Sequence, residues 1–213
     1  MVGAVGATNV TVTGGGVIDG QGWHFWALRD TVETNPDSGA LKCSRPHLVE
    51  FEHCTSVAIT GASADEPLTL QNSPFWTSHF IYSKGCRASD LRILAPATRG
   101  NTDGVNPDST TDVVIENLFI SNGDDGVAIK SGLNEAGIKM GLPSSNITVR
   151  NITTHGRGGI AVGSESAPPM PTSFTQMMPT ATVARPHKGT CIHSTRGFME
   201  GTSSKQFVRC IAA

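Results

Sequence analysis

Short β-branched runs recur along this chain at matched intervals, and that recurrence limits the folds open to it. Ile115-Glu116-Asn117-Leu118-Phe119-Ile120 is answered 34 residues later by Val149-Arg150-Asn151-Ile152-Thr153-Thr154. Gly126-Val127-Ala128-Ile129-Lys130-Ser131 is answered 33 residues later by Gly159-Ile160-Ala161-Val162-Gly163-Ser164, while Gly104-Val105 precedes Gly126-Val127 by 22. The longer downstream spacing is absorbed by an insertion, Asn134 to Pro143, bounded by Gly and Pro. A unit of a little over twenty residues, built of short strands and tight turns with insertions confined to one turn, is what an all-β, parallel β-helix requires. Coils of such a solenoid stack about 4.8 Å apart, with Val and Ile in register inside.

Composition agrees with that reading and excludes others. The chain has 213 residues, enough for one domain with a substantial core, and 24 of them are glycine, with a charged fraction of 16%. Such a balance favours turns and strands over long helices. A net charge of −2 without a Lys/Arg cluster gives no footing for nucleic acid or for a membrane surface as partner. No apolar run is long enough to span a bilayer, and the start Met1-Val2-Gly3-Ala4-Val5-Gly6 has none of the regions of a signal peptide. The five cysteines (Cys43, Cys54, Cys86, Cys191, Cys210) have no metal-ligand spacing, so buried thiols are expected, with one or two disulfides as the alternative. The sequons at Asn9, Asn146 and Asn151 are common in turn-rich β sequence and assign no compartment.

Along the chain, residues 1–165 carry the repeat. Two very short strands open it around Val10 and Ile18, a turn-rich stretch follows with Trp23, Phe25 and Trp26, and a further strand begins at Leu48. Residues 166–213 break the pattern, with five of the twelve prolines and three of the six methionines falling between 166 and 190. This segment is expected to be irregular, apart from a weak strand at Gln206-Phe207-Val208-Arg209, and not a second domain.

The chemistry-bearing residues fall into step with the coils. Asp103 precedes the pair Asp124/Asp125 by 21 and 22 residues, so a coil period puts three carboxylates at nearly the same angular position. Like charges raise one another's pKa, so one carboxyl of such a cluster retains its proton while the others ionise, which supplies a general acid and a general base together. Adjacent strand residues point to opposite faces, so Asp124 and Asp125 share a cleft only if the backbone bends, which Gly123 and Gly126 permit. Two simpler readings compete: Asp-Gly pairs as ordinary turns, and three oxygen ligands as an incomplete calcium site.

Several motifs in order resemble the polygalacturonases and their pectin-degrading relatives among the glycoside hydrolases. They are Val17-Ile18-Asp19-Gly20-Gln21-Gly22, Arg45-Pro46-His47-Leu48, Leu70-Gln71-Asn72-Ser73-Pro74-Phe75-Trp76, Asn101-Thr102-Asp103-Gly104 and Gly123-Asp124-Asp125-Gly126-Val127-Ala128-Ile129-Lys130-Ser131-Gly132. The resemblance implies a right-handed β-helix, inverting hydrolysis of α-1,4 bonds between galacturonate units of pectin, no cofactor and no metal, a monomer, and secretion to a cell wall. It also implies roles: Asp124 as the acid, Asp103 and Asp125 as the pair that holds and deprotonates water, and Asn101 as support for the cleft. Lys130 and His155 join the expected substrate-binding set. Where the family has Gly-His-Gly, this chain has Gly156-Arg157-Gly158, and the Arg157 guanidinium suits a uronate carboxylate. The family's later Arg-x-Lys motif is reduced to Cys191-Ile192-His193-Ser194-Thr195-Arg196-Gly197, without the lysine. The chain thus resembles a central fragment of such an enzyme. A non-catalytic pectin-binding β-helix and a lyase using calcium are the other functions to weigh.

Overall fold

A computed structural model describes residues 1–32, 45–168, 174–178, 193–194 and 208–212, with backbone alone for 30–32 and the last three segments. The elements are strands β1 (Val2–Val5), β2 (Thr8–Thr13) and β3 (Val17–Asp19), helix α1 (Trp23–Val32), and strands β4 (Val49–Glu52), β5 (Thr55–Thr60), β6 (Leu68–Gln71), β7 (Ser78–Ile81), β8 (Lys84–Leu94), β9 (Val105–Asp108), β10 (Thr111–Ser121) and β11 (Val127–Ser131). Helix α2 (Asn134–Met140) follows, and then β12 (Ser145–His155), β13 (Ile160–Ser166), β14 (Phe174–Met178), β15 (His193–Ser194) and β16 (Val208–Ala212). Every strand pairing is parallel and joins one coil to the next. One sheet runs β1-β4-β7-β9-β11-β13-β15, and the other runs β2-β5-β8-β10-β12-β14-β16, with β6 also pairing β8 and β3 pairing β6. This is the right-handed parallel β-helix, the hand that parallel crossovers take.

The offsets in the sequence are the strand registers. Ile115 pairs with Val149, Val127 with Ile160 and Val105 with Val127. Inside, Ile59, Ala88, Ile115 and Val149 form one ladder, and Leu68, Leu91, Leu118 and Ile152 form another, all of them buried. Phe51 and Phe80 stack with ring centroids 6.0 Å apart. The corners are turned by residues with positive φ, among them Asp90, Asp112, Asn117, Asn146 and Asn151, since Asn and Asp tolerate the left-handed region better than other side chains. Their side chains also link coil to coil: Asn151 donates to Asn117 at 2.8 Å, and Asn117 to Asp90 at 2.9 Å. Asn146 donates to Asp112 at 2.7 Å, so two of the three sequon asparagines serve the ladder.

Three differences from the sequence expectation stand out. The aromatic stretch forms α1, which buries Trp26 but leaves Trp23 and Phe25 exposed; its apolar residues do not follow a 3.6-residue period, so the pattern gave no helix signal. The insertion holds α2, closed by Gly141 in the left-handed conformation with its N–H on the Gly137 carbonyl. Residues 166–213, expected to be irregular apart from the weak strand at 206–209, contribute β14 and β15 as well as β16, which overlaps that expected strand, and together they extend both sheets. Parallel pairing to an existing edge satisfies their backbone groups, so local alternation is not needed. Among the described cysteines, Cys54 and Cys86 are free and buried, as the thiol reading expects; burial and the neighbouring Cys54 push the Cys86 thiol up to about 12. No helix among the described residues is long and apolar enough to cross a membrane.

Candidate active site

The Asp pair lies in the bend between β10 and β11, where the chain passes from one sheet to the other. Two buried side chains, Asn122 and Thr102, hold that bend with four hydrogen bonds. Asn122 donates to the carbonyls of Thr102 at 2.9 Å and Asp125 at 2.8 Å. The Thr102 hydroxyl accepts from Gly123 N–H at 3.0 Å and donates to the Arg99 carbonyl at 2.7 Å. A Cβ on Gly123 would sit 2.0 Å from the Arg99 oxygen, so only glycine lets the two coils close there. The expected departure from strand geometry is therefore present, and its cause is this close approach.

The glycines of Gly156-Arg157-Gly158 have the same explanation from the other side. A Cβ on Gly156 would meet the Asn122 carbonyl oxygen at 2.5 Å, and one on Gly158 would meet the Asp125 Oδ1 at 2.1 Å. The coil below the Asp pair must be bare at both positions, whatever stands between them. Arg157 stands between them, exposed.

The three carboxylates occupy unlike surroundings. Asp124 is half-buried, and its Oδ2 accepts from the Asn101 N–H at 2.8 Å while its Oδ1 accepts from the Asp125 N–H at 3.1 Å. Asn101 takes positive φ and is itself held by Arg45, whose Nη2 donates to Asn101 Oδ1 at 3.0 Å and Nη1 to the Pro74 carbonyl at 3.0 Å. Asp125 is half-buried over Gly158. Asp103 is buried, and burial, with the Asp124 and Asp125 charges adding to it, pushes its pKa up to about 8 despite the opposing charge of Lys130. One carboxyl of the cluster thus keeps its proton at neutral pH, as like-charge clustering requires, and desolvation is the larger cause.

Lys130 is the cation of the cluster. Its side chain is 4% exposed, with Nζ 3.9 Å from Asp103 Oδ2 and 4.3 Å from the Trp76 ring centroid, and it makes an ion pair with Glu165 on β13. Next to it, the buried His79 places Nδ1 3.0 Å from Glu50 Oε1 and Nε2 3.6 Å from Asp108 Oδ2; although burial opposes it, these two carboxylates raise the His79 pKa. Asp108 is fixed in turn by the Gly132 N–H at 2.8 Å, and its carboxyl is held below the usual range by His79 and that bond.

The structure therefore brings together Asp103, Asp124, Asp125, Asn101 and Lys130 of the expected set. Arg157 lies in the adjoining turn. His155 ends β12 with its ring 5.2 Å from that of Phe119, an outer residue of the second sheet. Sequence reading missed Glu165, where the repeat was judged to stop, and gave no role to Arg45 or Trp76. Their signals are positional: Lys130 and Glu165 stand on neighbouring coils, and Arg45 reaches Asn101 across 56 residues. Arg196 lies outside the described residues; of the stretch 191–197 only His193–Ser194, strand β15, is described.

Residues 1–198 match the family model described as glycosyl hydrolases family 28. The chain belongs to that family. A probable polygalacturonase of Vitis vinifera is 40% identical over 161 residues, which are 74% of this chain and 30% of that protein. A polygalacturonase of Chamaecyparis obtusa is 32% identical over 160 residues, 74% of this chain and 27% of that protein. The family 28 chain described here thus spans under a third of the length of these relatives. Among solved structures, a hyperthermoactive exopolygalacturonase from Thermotoga maritima superposes with a TM-score of 0.65 at 25% identity, over 83% of this chain and 48% of that one. A family 28 exopolygalacturonase of Yersinia enterocolitica, at a TM-score of 0.61 and 17% identity over 80% of this chain and 35% of that one, shares the fold.

Proposed function

We propose that this family 28 chain hydrolyses α-1,4-galacturonosidic bonds of pectic homogalacturonan with inversion, and that Asp103, Asp124 and Asp125 carry the reaction. The observation that carries this reading is the unequal treatment of three clustered carboxyls. Asp103 is buried and retains a proton up to about pH 8, whereas Asp124 is half-buried and fixed by two backbone N–H donors. Inverting hydrolysis needs one carboxylic acid to protonate the leaving oxygen and a carboxylate to activate water on the opposite side. Asp124 is the acid, drawing on the one proton that the clustered carboxyls share. Asp103 and Asp125 then hold the water and take its proton, so the cluster ends with the proton count it began with. The curated relatives named polygalacturonase support the substrate, as does the exposed Arg157 beside the Asp pair, whose guanidinium can grip a uronate carboxylate in two bonds. Secretion to a cell wall, where this polymer is found, is part of the same proposal.

The test is reducing-sugar release from polygalacturonic acid by the full chain and by Asp124→Asn. General acid catalysis is worth about 10²–10⁴-fold, so the variant should lose about 10³-fold while still binding oligogalacturonate. Unchanged turnover would remove Asp124 from the role; tight binding without turnover in the unmodified chain would make it a pectin-binding solenoid. Unsaturated, ultraviolet-absorbing products would make it a lyase. Because acid catalysis needs the retained proton, turnover should fall as pH rises through about 8.

A further inference from the structure

One coil and more away from the Asp pair, His47, Glu50 and His79 form a second group of convergent ligands. Each offers one ligand atom, and the three atoms lie within 4.8 Å of one another. We propose that His47, Glu50 and His79 form a binding site for a first-row divalent metal ion of the zinc class, with one position left open to solvent.

The first support is spacing. Tetrahedral zinc with nitrogen and oxygen ligands at about 2.0–2.1 Å has ligands about 3.4 Å apart. The His79 Nδ1 to Glu50 Oε1 distance is 3.0 Å and the His47 Nε2 to Glu50 Oε1 distance is 3.8 Å, which bracket that edge. The third pair, His47 and His79, lies within 4.8 Å and closes toward that edge when the ion is seated. The rings are already oriented by packing: His47 stacks on Trp76 at 5.1 Å and 27°, and its centroid is 4.5 Å from that of His79.

The second support is independent of the first. His79 is 5% exposed, and its other ring nitrogen, Nε2, is buried and faces Asp108 Oδ2 at 3.6 Å, an ion-pair distance too long for a hydrogen bond. A histidine that ligates metal through one nitrogen ordinarily gives its other N–H to a carboxylate, which fixes its tautomer and orientation. Asp108, tied to the Gly132 N–H, is placed for that duty. With a metal on Nδ1, the Nε2–H would close on Asp108 to hydrogen-bond length. Two imidazoles and one carboxylate select zinc, cobalt or nickel over calcium or magnesium. The half-exposed Glu50 and the 15% exposed His47 side chain leave the fourth position to water or to an oxygen of an incoming anion. The site goes beyond the metal-free expectation drawn from the family resemblance, and it stands whether or not the chain hydrolyses pectin.

The experiment reads binding alone. The metal-stripped full chain is titrated with Zn²⁺ against a chromogenic chelator and with Co²⁺ by visible absorption. One equivalent should bind, with the intense visible bands of four-coordinate cobalt, and excess Ca²⁺ or Mg²⁺ should leave the affinity unchanged. His47→Gln and Glu50→Gln should each weaken binding by more than about 100-fold, and Asp108→Asn by about 10–100-fold; His53→Gln, an exposed control just past β4, should not change it. In the unmodified chain, Co²⁺ should shift the imidazole protons of His47 and His79 ahead of the other five histidines, a readout that needs no variant to fold. Equal affinity in His47→Gln and His53→Gln, or paramagnetic shifts centred on His187 or His193, would overturn the proposal.

Discussion

On the outer face of the second sheet, Glu116 lies between Arg87 and Arg150; on the first sheet, Lys130 lies between Asp103 and Glu165. Both arrangements span three successive coils, and both bury the central charge: the Glu116 side chain is 6% exposed and that of Lys130 is 4%. Their flanks differ. Arg87 and Arg150 are each 49% exposed, so water solvates the outer charges and the anion between them has a cation on either side. Around Lys130 the flanks are buried too, and Asp124 and Asp125 add their charges to Asp103. One register thus yields a compensated ladder and an overcharged one. The same solenoid geometry builds stability on one face and stores protonation chemistry on the other.

The largest effect should come from the cation of the overcharged ladder. Lys130→Met leaves the mostly buried Glu165 without its counter-charge, and breaking such a pair costs about 3–5 kcal/mol. Chemical denaturation should show that loss, and the titration of Asp103, followed by carboxyl-carbon NMR, should move above about 8 because Lys130 opposes its rise. A loss under 1 kcal/mol, or an unmoved titration, would mean that the two ladders are alike.

Asp103→Asn should act in the opposite direction. In the folded chain this carboxyl keeps its proton to about pH 8, and in the unfolded chain it releases it near 3.8. Between those values the folded state binds more protons, so stability falls as pH rises through the window. The amide removes that penalty, which amounts to several kcal/mol above pH 8 and shrinks to nothing below pH 4. Thermal melting across pH checks it, and a variant less stable than the parent at pH 8.5 would contradict the assignment. The variant should be inactive, since stability and function compete at this residue.

Glu116→Gln is the small perturbation that sharpens the contrast. With both arginines half in water, the loss should be about 1 kcal/mol and should shrink in high salt. A loss as large as that of Lys130→Met, or one insensitive to salt, would show that exposure of the flanks is not what separates the two ladders.

The coil period was legible because it is written twice, once in the Asn117/Asn151 corners and once in the Gly126/Gly159 turns, and both repeats turn out to be strand registers. Asp103 and Asp125 were legible as a face for the same reason. Glu165 was not, because its meaning lies in a lysine 35 residues earlier and nothing local distinguishes it from a surface carboxylate. The unequal protonation was readable only as an expectation for the group: which carboxyl holds the proton depends on burial, and burial belongs to the assembled coils. Helix α1 escaped because tertiary contact at Trp26, packed against Gly22 and near Arg99, gives it a place that periodicity does not. Arg45 looked like part of a signature, and its hold on Asn101 needed two coils to be brought together.

The absorption of extra chain by α2 has a consequence for how such a molecule can change. Length added after β11 leaves the strand before it and the strand after it in step, so loops there can lengthen or shorten without disturbing the carboxylates. A single residue deleted within β10 would do what ten added at α2 do not. Side chains alternate along a strand, so Leu118 and Ile120 would exchange faces with their neighbours. The mutational freedom of this fold is therefore patterned by arc: generous where the chain turns outward, and nearly absent where it passes from Thr111 to Ser131.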